Sequence, residues 1–179
     1  PVVYRFRDDV EEMISAARLQ TACTHNNELL LDVSETCARL CWQVMNGKKP
    51  SVAIERERAG VDATETADLL ARAMELEGAS VEGAVEAIGT GADVREAFPL
   101  ALYFVLNLEG SLRHALAENV KAGGDSAARG LLIGMLLGAF HGTDAIPDDW
   151  IASWRAGDLV TRRLETLEDY IRATSSAAS

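Results

Sequence analysis

The stretch NVKAGGDSAARGLLIGMLLGAFHG, residues 119–142, decides the fold, because it joins two helical patterns through a glycine turn. Gly130, Gly134 and Gly138 recur every four residues, so they form one stripe of a helix that begins just after Asp125. Each glycine costs roughly 1 kcal/mol of helix propensity relative to alanine. We therefore expect a central, buried helix whose glycine stripe lies against the backbone of another helix.

The turn Gly123-Gly124-Asp125-Ser126, directly before this helix, has two interpretations. In the first it only separates two helices: Gly123 ends one helix in the left-handed conformation and Asp125 caps the next. In the second, the backbone N–H groups at the helix N-terminus face an anion such as a phosphate. Asp125 would repel that anion unless a cation such as Mg²⁺ lay between them. The spacing alone leaves both interpretations open.

Most of the remaining chain has helical spacing, and alternating β-branched stretches are absent. The pattern predicts an all-α protein of about nine helices joined by short loops. It predicts one domain over residues 1–173, followed by a frayed tail at residues 174–179. Asp62 is expected to cap one helix, and Pro99 is expected to start another that is apolar on nearly all sides and therefore buried.

Composition and charge limit the classes of function. The 179 residues include 48% hydrophobic and 25% charged residues, as in a soluble globular domain. The net charge of -11 disfavours nucleic acid and anionic membrane surfaces as partners. The longest apolar run, residues 130–140, is shorter than the ~20 residues that span a bilayer. Cys23, Cys37 and Cys41 are expected to be reduced core thiols of a cytoplasmic protein.

Residues 117–150 resemble the C-terminal signature of the ADP-ribosylglycohydrolases. In that family a helix ending in Gly-Gly-Asp is followed by a buried Gly/Ala-rich helix, a short loop and Ile-Pro-x-x-Trp, here Ile146 to Trp150. Residues 17–40 resemble the family's Thr-His helix pair, without the proline often found after that histidine. Residues 96–106 also have a counterpart, so the resemblance extends in order over residues 10–155.

The resemblance implies an all-helical fold around a cleft with two Mg²⁺ ions. In such a cleft the bond between ADP-ribose and a protein side chain or small molecule is hydrolysed, because the metals polarise the ribose and position a water. It implies that Asp125 faces the metal. It also places Gly123, Gly124, Ser126 and Arg129 near enough to touch the phosphate or ribose.

Two departures from the family pattern qualify this hypothesis. The family's loop reads Gly-Gly-Asp-x-Asp-Thr/Ser, whereas Ala127 and Ala128 occupy the positions of the second carboxylate and the hydroxyl. The family's N-terminal motifs have no counterpart, so the chain is expected to resemble the C-terminal half of the fold. We therefore expect an ADP-ribosylglycohydrolase-like domain that is not a competent catalyst alone, and that forms a homo-oligomer or binds a complementing N-terminal segment. The alternative is a non-catalytic binding or assembly module.

Overall fold

A computed structural model of the chain describes residues 1–60 and 64–177, and within these residues it contains eleven α-helices and no strand. The helices are α1 Val2–Arg5, α2 Val10–Ala22, α3 Glu28–Met45, α4 Pro50–Gly60, α5 Glu65–Glu75, α6 Val81–Ile88, α7 Val94–Asn107, α8 Leu112–Lys121, α9 Ser126–His141, α10 Asp148–Ser153 and α11 Gly157–Ala177. The all-α prediction is confirmed. The predicted number of about nine was too low, since it omitted the short helices α1 and α10.

Side-chain caps define the start of most helices. Asp9, Asn27, Ser80 and Ser111 each accept a hydrogen bond from a backbone N–H in the first turn of the following helix. The predicted cap Asp62 lies outside the described residues. At the other end of the chain, the α11 backbone is helical to Ala177, through four residues that were predicted to belong to a frayed tail.

Helix α7 starts earlier than Pro99 predicts. It begins at Val94 because the Asp93 carboxylate accepts a hydrogen bond from the Arg95 N–H at 2.8 Å. Pro99 lies inside the helix and has no N–H to donate to the carbonyl of Arg95. The Arg72 guanidinium donates to that carbonyl instead, at 3.4 Å. A tertiary contact therefore compensates in part for the proline.

The core is built around α7, which packs against α4, α5, α6, α8 and α9. Every residue from Leu100 to Val105 is at most 2% exposed, so this helix is buried on all sides as the sequence indicates. Helix α9 packs against α7, and its buried side chains Ile133, Leu136 and Leu137 belong to the same hydrophobic core. Among the helices of residues 1–60 and 64–177, none combines the length and the hydrophobicity of a transmembrane span.

The glycine stripe of α9 does not receive another helix backbone, and this corrects the sequence-based expectation. A β-carbon added at Gly130 would lie 3.4 Å from Asn119 Nδ2, which is ordinary packing. Among the described residues, nothing outside the α9 backbone comes within 4 Å of a β-carbon at Gly134 or Gly138. Leu131, 75% exposed, and Met135, 40% exposed, also point outward. Helix α9 is therefore buried on one face and open on the other.

The three cysteines are unpaired, but only Cys41 is fully buried, and their reduced state stays a prediction. Burial raises the pKa of the Cys41 thiol to about 12, so this thiol is neutral at physiological pH. Cys23 is exposed near the end of α2, which contradicts its assignment to the core.

Candidate ligand-binding loop

The Gly-Gly-Asp turn connects α8 to α9 through two consecutive left-handed residues. Gly123 has φ of 73° and Gly124 has φ of 61°, conformations that residues with a side chain rarely adopt. Asp125 then caps α9, because its Oδ1 accepts a hydrogen bond from the Ala128 N–H at 3.2 Å. The loop thus has the geometry of a turn that ends one helix and caps the next. The first turn of α9 lies directly beside it.

A second turn, Gly89-Thr90-Gly91, lies against the first one. The Asp125 N–H donates to the Thr90 carbonyl at 3.0 Å. A β-carbon at Gly124 would be 2.6 Å from the Thr90 β-carbon, too close for any residue but glycine at the observed positions. This turn was not predicted as part of the site, although the two glycines around Thr90 were a local signal for it.

Glu96, in the first turn of α7, fixes the second turn from its other side. Its Oε2 accepts a hydrogen bond from the Gly91 N–H at 2.7 Å. Gly89 has a φ of 94°, which favours glycine, and a β-carbon there would also displace the Glu96 carboxylate, whose Cδ would lie 2.6 Å away. The two turns and their supporting residues form one packed unit between the ends of α6 and α8.

Arg129 lies beneath this unit and is only 1% exposed. Its Nε donates to Asn119 Oδ1 at 2.8 Å, and its Nη1 donates to the Thr90 carbonyl at 3.1 Å. Its Nη2 donates to the carbonyls of Asn119, at 3.4 Å, and of Gly123. The guanidinium is thus directed into the protein. The expected direct contact between Arg129 and phosphate or ribose does not fit this position.

The Arg129 guanidinium is a buried charge without an ion-pair partner within 4 Å among the residues described. Burial lowers the pKa of Arg129, while the nearby Asp125 carboxylate opposes that effect. Since the ordinary pKa of an arginine lies far above neutral pH, the Arg129 side chain still carries its charge. Four neutral oxygens therefore stabilise this cation.

The other residues predicted to contact a ligand lie on the solvent-facing side of the loop. Gly124, Ala127 and Ala128 are exposed, whereas Gly123, Asp125 and Ser126 are half-buried. Within residues 1–60 and 64–177, the Ala127 N–H makes no hydrogen bond to a backbone carbonyl. The exposed surface thus offers a free amide, one carboxylate and a serine side chain at the start of a 16-residue helix.

The residues present do not fit a site for two Mg²⁺ ions. Asp125 is the only carboxylate of the loop, and one of its oxygens already caps α9. Ala127 and Ala128 have no atom that can bind a metal. In the described part of the chain, no group of three or more His, Cys, Asp or Glu residues is arranged to hold a metal ion.

The Thr-His pair of the sequence analysis lies in the connection between α2 and α3. His25 is exposed there, and its Nδ1 is 2.9 Å from the hydroxyl of the adjacent Thr24. The next helix begins immediately after it, because Asn27 Oδ1 accepts a hydrogen bond from the Leu30 N–H. Both side chains are therefore accessible to solvent, and they contact each other.

Comparison with known proteins identifies the family. The sequence model of the ADP-ribosylglycohydrolases matches residues 1–177, which include both glycine turns, Arg129 and the Thr-His connection. A comparison with curated protein sequences finds no match. The family match extends beyond the resemblance that was seen over residues 10–155. The chain therefore belongs to the ADP-ribosylglycohydrolase family.

Proposed function

We propose that the chain binds an ADP-ribosyl group, carried by a small molecule or a protein, at the exposed side of the loop formed by Gly123, Gly124, Asp125 and Ser126. Family membership supports the substrate class. The observation that carries the proposal is the geometry of the loop, in which two left-handed glycines expose the start of α9 and leave the Ala127 N–H free. On this surface Gly124, Ala127 and Ala128 are exposed, and Asp125 and Ser126 are half-buried.

The chemistry of the loop matches different parts of this ligand. The partial positive charge at the N-terminus of α9 and the free Ala127 amide favour the diphosphate. The Asp125 carboxylate has one oxygen that is not engaged in capping, and this oxygen can accept a hydrogen bond from a ribose hydroxyl. The Ser126 hydroxyl can donate to either group. The anionic diphosphate must then lie away from Asp125, toward the backbone amides.

We further propose that this chain alone does not hydrolyse the ADP-ribosyl bond. The metal-dependent hydrolysis for which the family is known needs more ligands than one carboxylate. Ala127 and Ala128 leave the loop without the second carboxylate and the hydroxyl that the family pattern contains. Binding and hydrolysis are therefore separable properties in this protein, and they require separate assays.

Calorimetric titration with ADP-ribose tests the binding proposal. We expect saturable binding that weakens in Asp125→Asn, a variant that retains a capping side chain but loses the carboxylate. ADP and ribose 5-phosphate, each titrated separately, distinguish recognition of the diphosphate from recognition of the ribose. Absence of saturable heat with ADP-ribose contradicts the proposal. Chromatography measures whether the chain releases ADP-ribose from a mono-ADP-ribosylated peptide. Such release contradicts the proposal that the chain alone does not hydrolyse the bond.

The second candidate function is a binding or assembly module without catalysis. The open face of α9 favours it, because Leu131 and Met135 are exposed there and Gly134 leaves room for a close helix backbone. The two candidate functions differ in what the chain binds. The first predicts saturable binding of ADP-ribose in calorimetry, and the second predicts binding to another protein chain that depends on Leu131. A homo-oligomer or a complex with a complementing N-terminal segment would cover this face.

A further inference from the structure

The buried guanidinium of Arg129 connects three separate segments of the chain. It donates to the Asn119 side chain and carbonyl at the end of α8, to the Gly123 carbonyl in the first turn, and to the Thr90 carbonyl in the second. Asn119 is itself 1% exposed, and its Nδ2 donates to the Ser126 carbonyl at 2.8 Å. One side chain thus fixes the oxygens that surround the loop from the inside.

The surroundings make this position specific for arginine. A guanidinium has five N–H donors in a planar fork, and here they reach four oxygens in different directions. A lysine ammonium retains the charge, but its single nitrogen would have to replace three nitrogens of Arg129 that donate separately, to Asn119, Thr90 and Gly123. Loss of the guanidinium removes a donor from each of these acceptors. The Thr90 carbonyl then retains the Asp125 N–H, whereas the loss is costly at Asn119, which is 1% exposed. The requirement is therefore for the shape of arginine as well as for its charge.

The Thr90 carbonyl links this buried network to the exposed surface. It accepts hydrogen bonds from Arg129 Nη1, at 3.1 Å, and from the Asp125 N–H, at 3.0 Å. A displacement of Thr90 therefore moves Asp125, and with it the start of α9. Because Arg129 is almost fully buried, it acts on a ligand only through these residues.

We infer that Arg129 is a positioning residue, whose cation organises the oxygens of the loop from inside the protein so that the loop binds its ligand without a divalent metal. This inference rests on the proposed binding of an ADP-ribosyl group to the loop. It accounts for the co-occurrence, in the first turn of α9, of a buried arginine and two alanines at positions that supply metal ligands in the family pattern. The arginine maintains the arrangement of the two turns, and the exposed side provides the ligand contacts.

Hydrogen exchange measured by NMR tests the positioning role independently of any ligand. In Arg129→Lys we expect exchange of the Asp125 amide to rise about tenfold, while amides in the buried centre of α7 change by less than about twofold. Arg113→Lys, on the exposed surface of α8, is the matched control and should alter neither. The positioning role is overturned if the exchange rate of the Asp125 amide does not change, or if exchange rates rise equally throughout the core.

If Arg129→Lys does not fold, a pair of glycine variants tests the contact between the two turns, on which the positioning role of Arg129 depends. Gly123→Ala and Gly124→Ala share the strain of a left-handed backbone, but only the second introduces a methyl group against Thr90. We expect faster exchange of the Gly91 and Asp125 amides in Gly124→Ala than in Gly123→Ala. Equal exchange in the two variants contradicts the importance of the contact between the turns.

Calorimetry with ADP-ribose tests the metal-free part of the inference. We expect the Kd of the wild type to be the same, within about twofold, in EDTA and in excess Mg²⁺, and about tenfold weaker in Arg129→Lys. A Kd that requires Mg²⁺ overturns the inference while leaving the proposed function intact. Absence of ADP-ribose binding under both conditions overturns the proposed function, and the exchange measurements then decide the positioning role alone.

Discussion

The backbone N–H of Asp125 donates a hydrogen bond to the carbonyl of Thr90, at 3.0 Å, although 35 positions separate the two residues in the sequence. Asp125 therefore has two structural roles: its side chain caps α9, and its amide anchors the Gly-Gly-Asp turn to the Gly89–Gly91 turn. Its position does not depend on a metal ion, because the protein itself supplies both contacts. The candidate site is thus preorganised by the fold.

The capping role predicts different effects for two substitutions of Asp125. Asp125→Ala removes the acceptor of the Ala128 N–H and should lower the free energy of unfolding by ~1 kcal/mol. Asp125→Asn keeps a capping oxygen and should cost less than half as much. Urea denaturation followed by circular dichroism measures both. Equal losses in the two variants would mean that the negative charge, rather than the cap, stabilises the start of α9.

The elements that the sequence predicts correctly are those with local causes. The left-handed Gly123 and the cap at Asp125 both follow from the conformational preferences of the residues themselves. The apolar character of residues 100–105 similarly predicts that α7 is buried. In each case a short stretch of chain determines the structure, so no tertiary information is needed.

The features that escaped prediction depend on contacts between distant segments. Pro99 lies within α7 because Asp93 caps the helix earlier and Arg72 donates to the carbonyl that the proline leaves free. Arg129 follows the loop in sequence and therefore looked available to a ligand. Its burial arises from carbonyls at Thr90 and Gly123, whose positions the spacing of residues does not reveal.

Glu57 should make stability depend on pH. Burial raises the pKa of this carboxyl, and the charge of Arg39 and a hydrogen bond from Gln43 only partly oppose that effect. The folded state therefore binds the proton more tightly than the unfolded state, so stability falls as pH rises from the unfolded pKa through the folded one. Glu57→Gln should stabilise the protein at pH 7, and the gain should vanish below pH ~4.

Chemical denaturation of wild type and Glu57→Gln at several pH values measures this difference. Glu55→Gln is the matched control, because Glu55 is exposed on the same helix. The control variant should leave the pH dependence unchanged. If Glu57→Gln is equally stabilising at low pH, the gain in stability comes from packing and not from the charge of the Glu57 carboxylate.

The open face of α9 predicts self-association. Leu131 and Met135 are exposed side by side on this helix, and Gly134 allows a second helix to approach. We expect the sedimentation coefficient of the wild type to increase with protein concentration. Leu131→Glu should remove that increase, because a carboxylate in an apolar interface has no partner. Leu19→Glu is the control, since Leu19 is 70% exposed on α2. A wild type that sediments as a monomer at every concentration argues against this interface.

The composition of the loop predicts weak binding of Mg²⁺, in the millimolar range, since Asp125 supplies the only carboxylate. Ala127→Asp combined with Ala128→Thr restores the family pattern at two exposed positions in the first turn of α9, where an added carboxylate also suits the helix dipole. Calorimetric titration should show Mg²⁺ affinity at least about tenfold higher than in the wild type, because two carboxylates and a hydroxyl then share the ion.

Ala127→Asn with Ala128→Thr is the matched control, as it adds similar volume without the charge. Tight, stoichiometric Mg²⁺ binding by the unmodified chain would show that residues other than Asp125 provide the ligands, and it would also count against the metal-free site organised by Arg129.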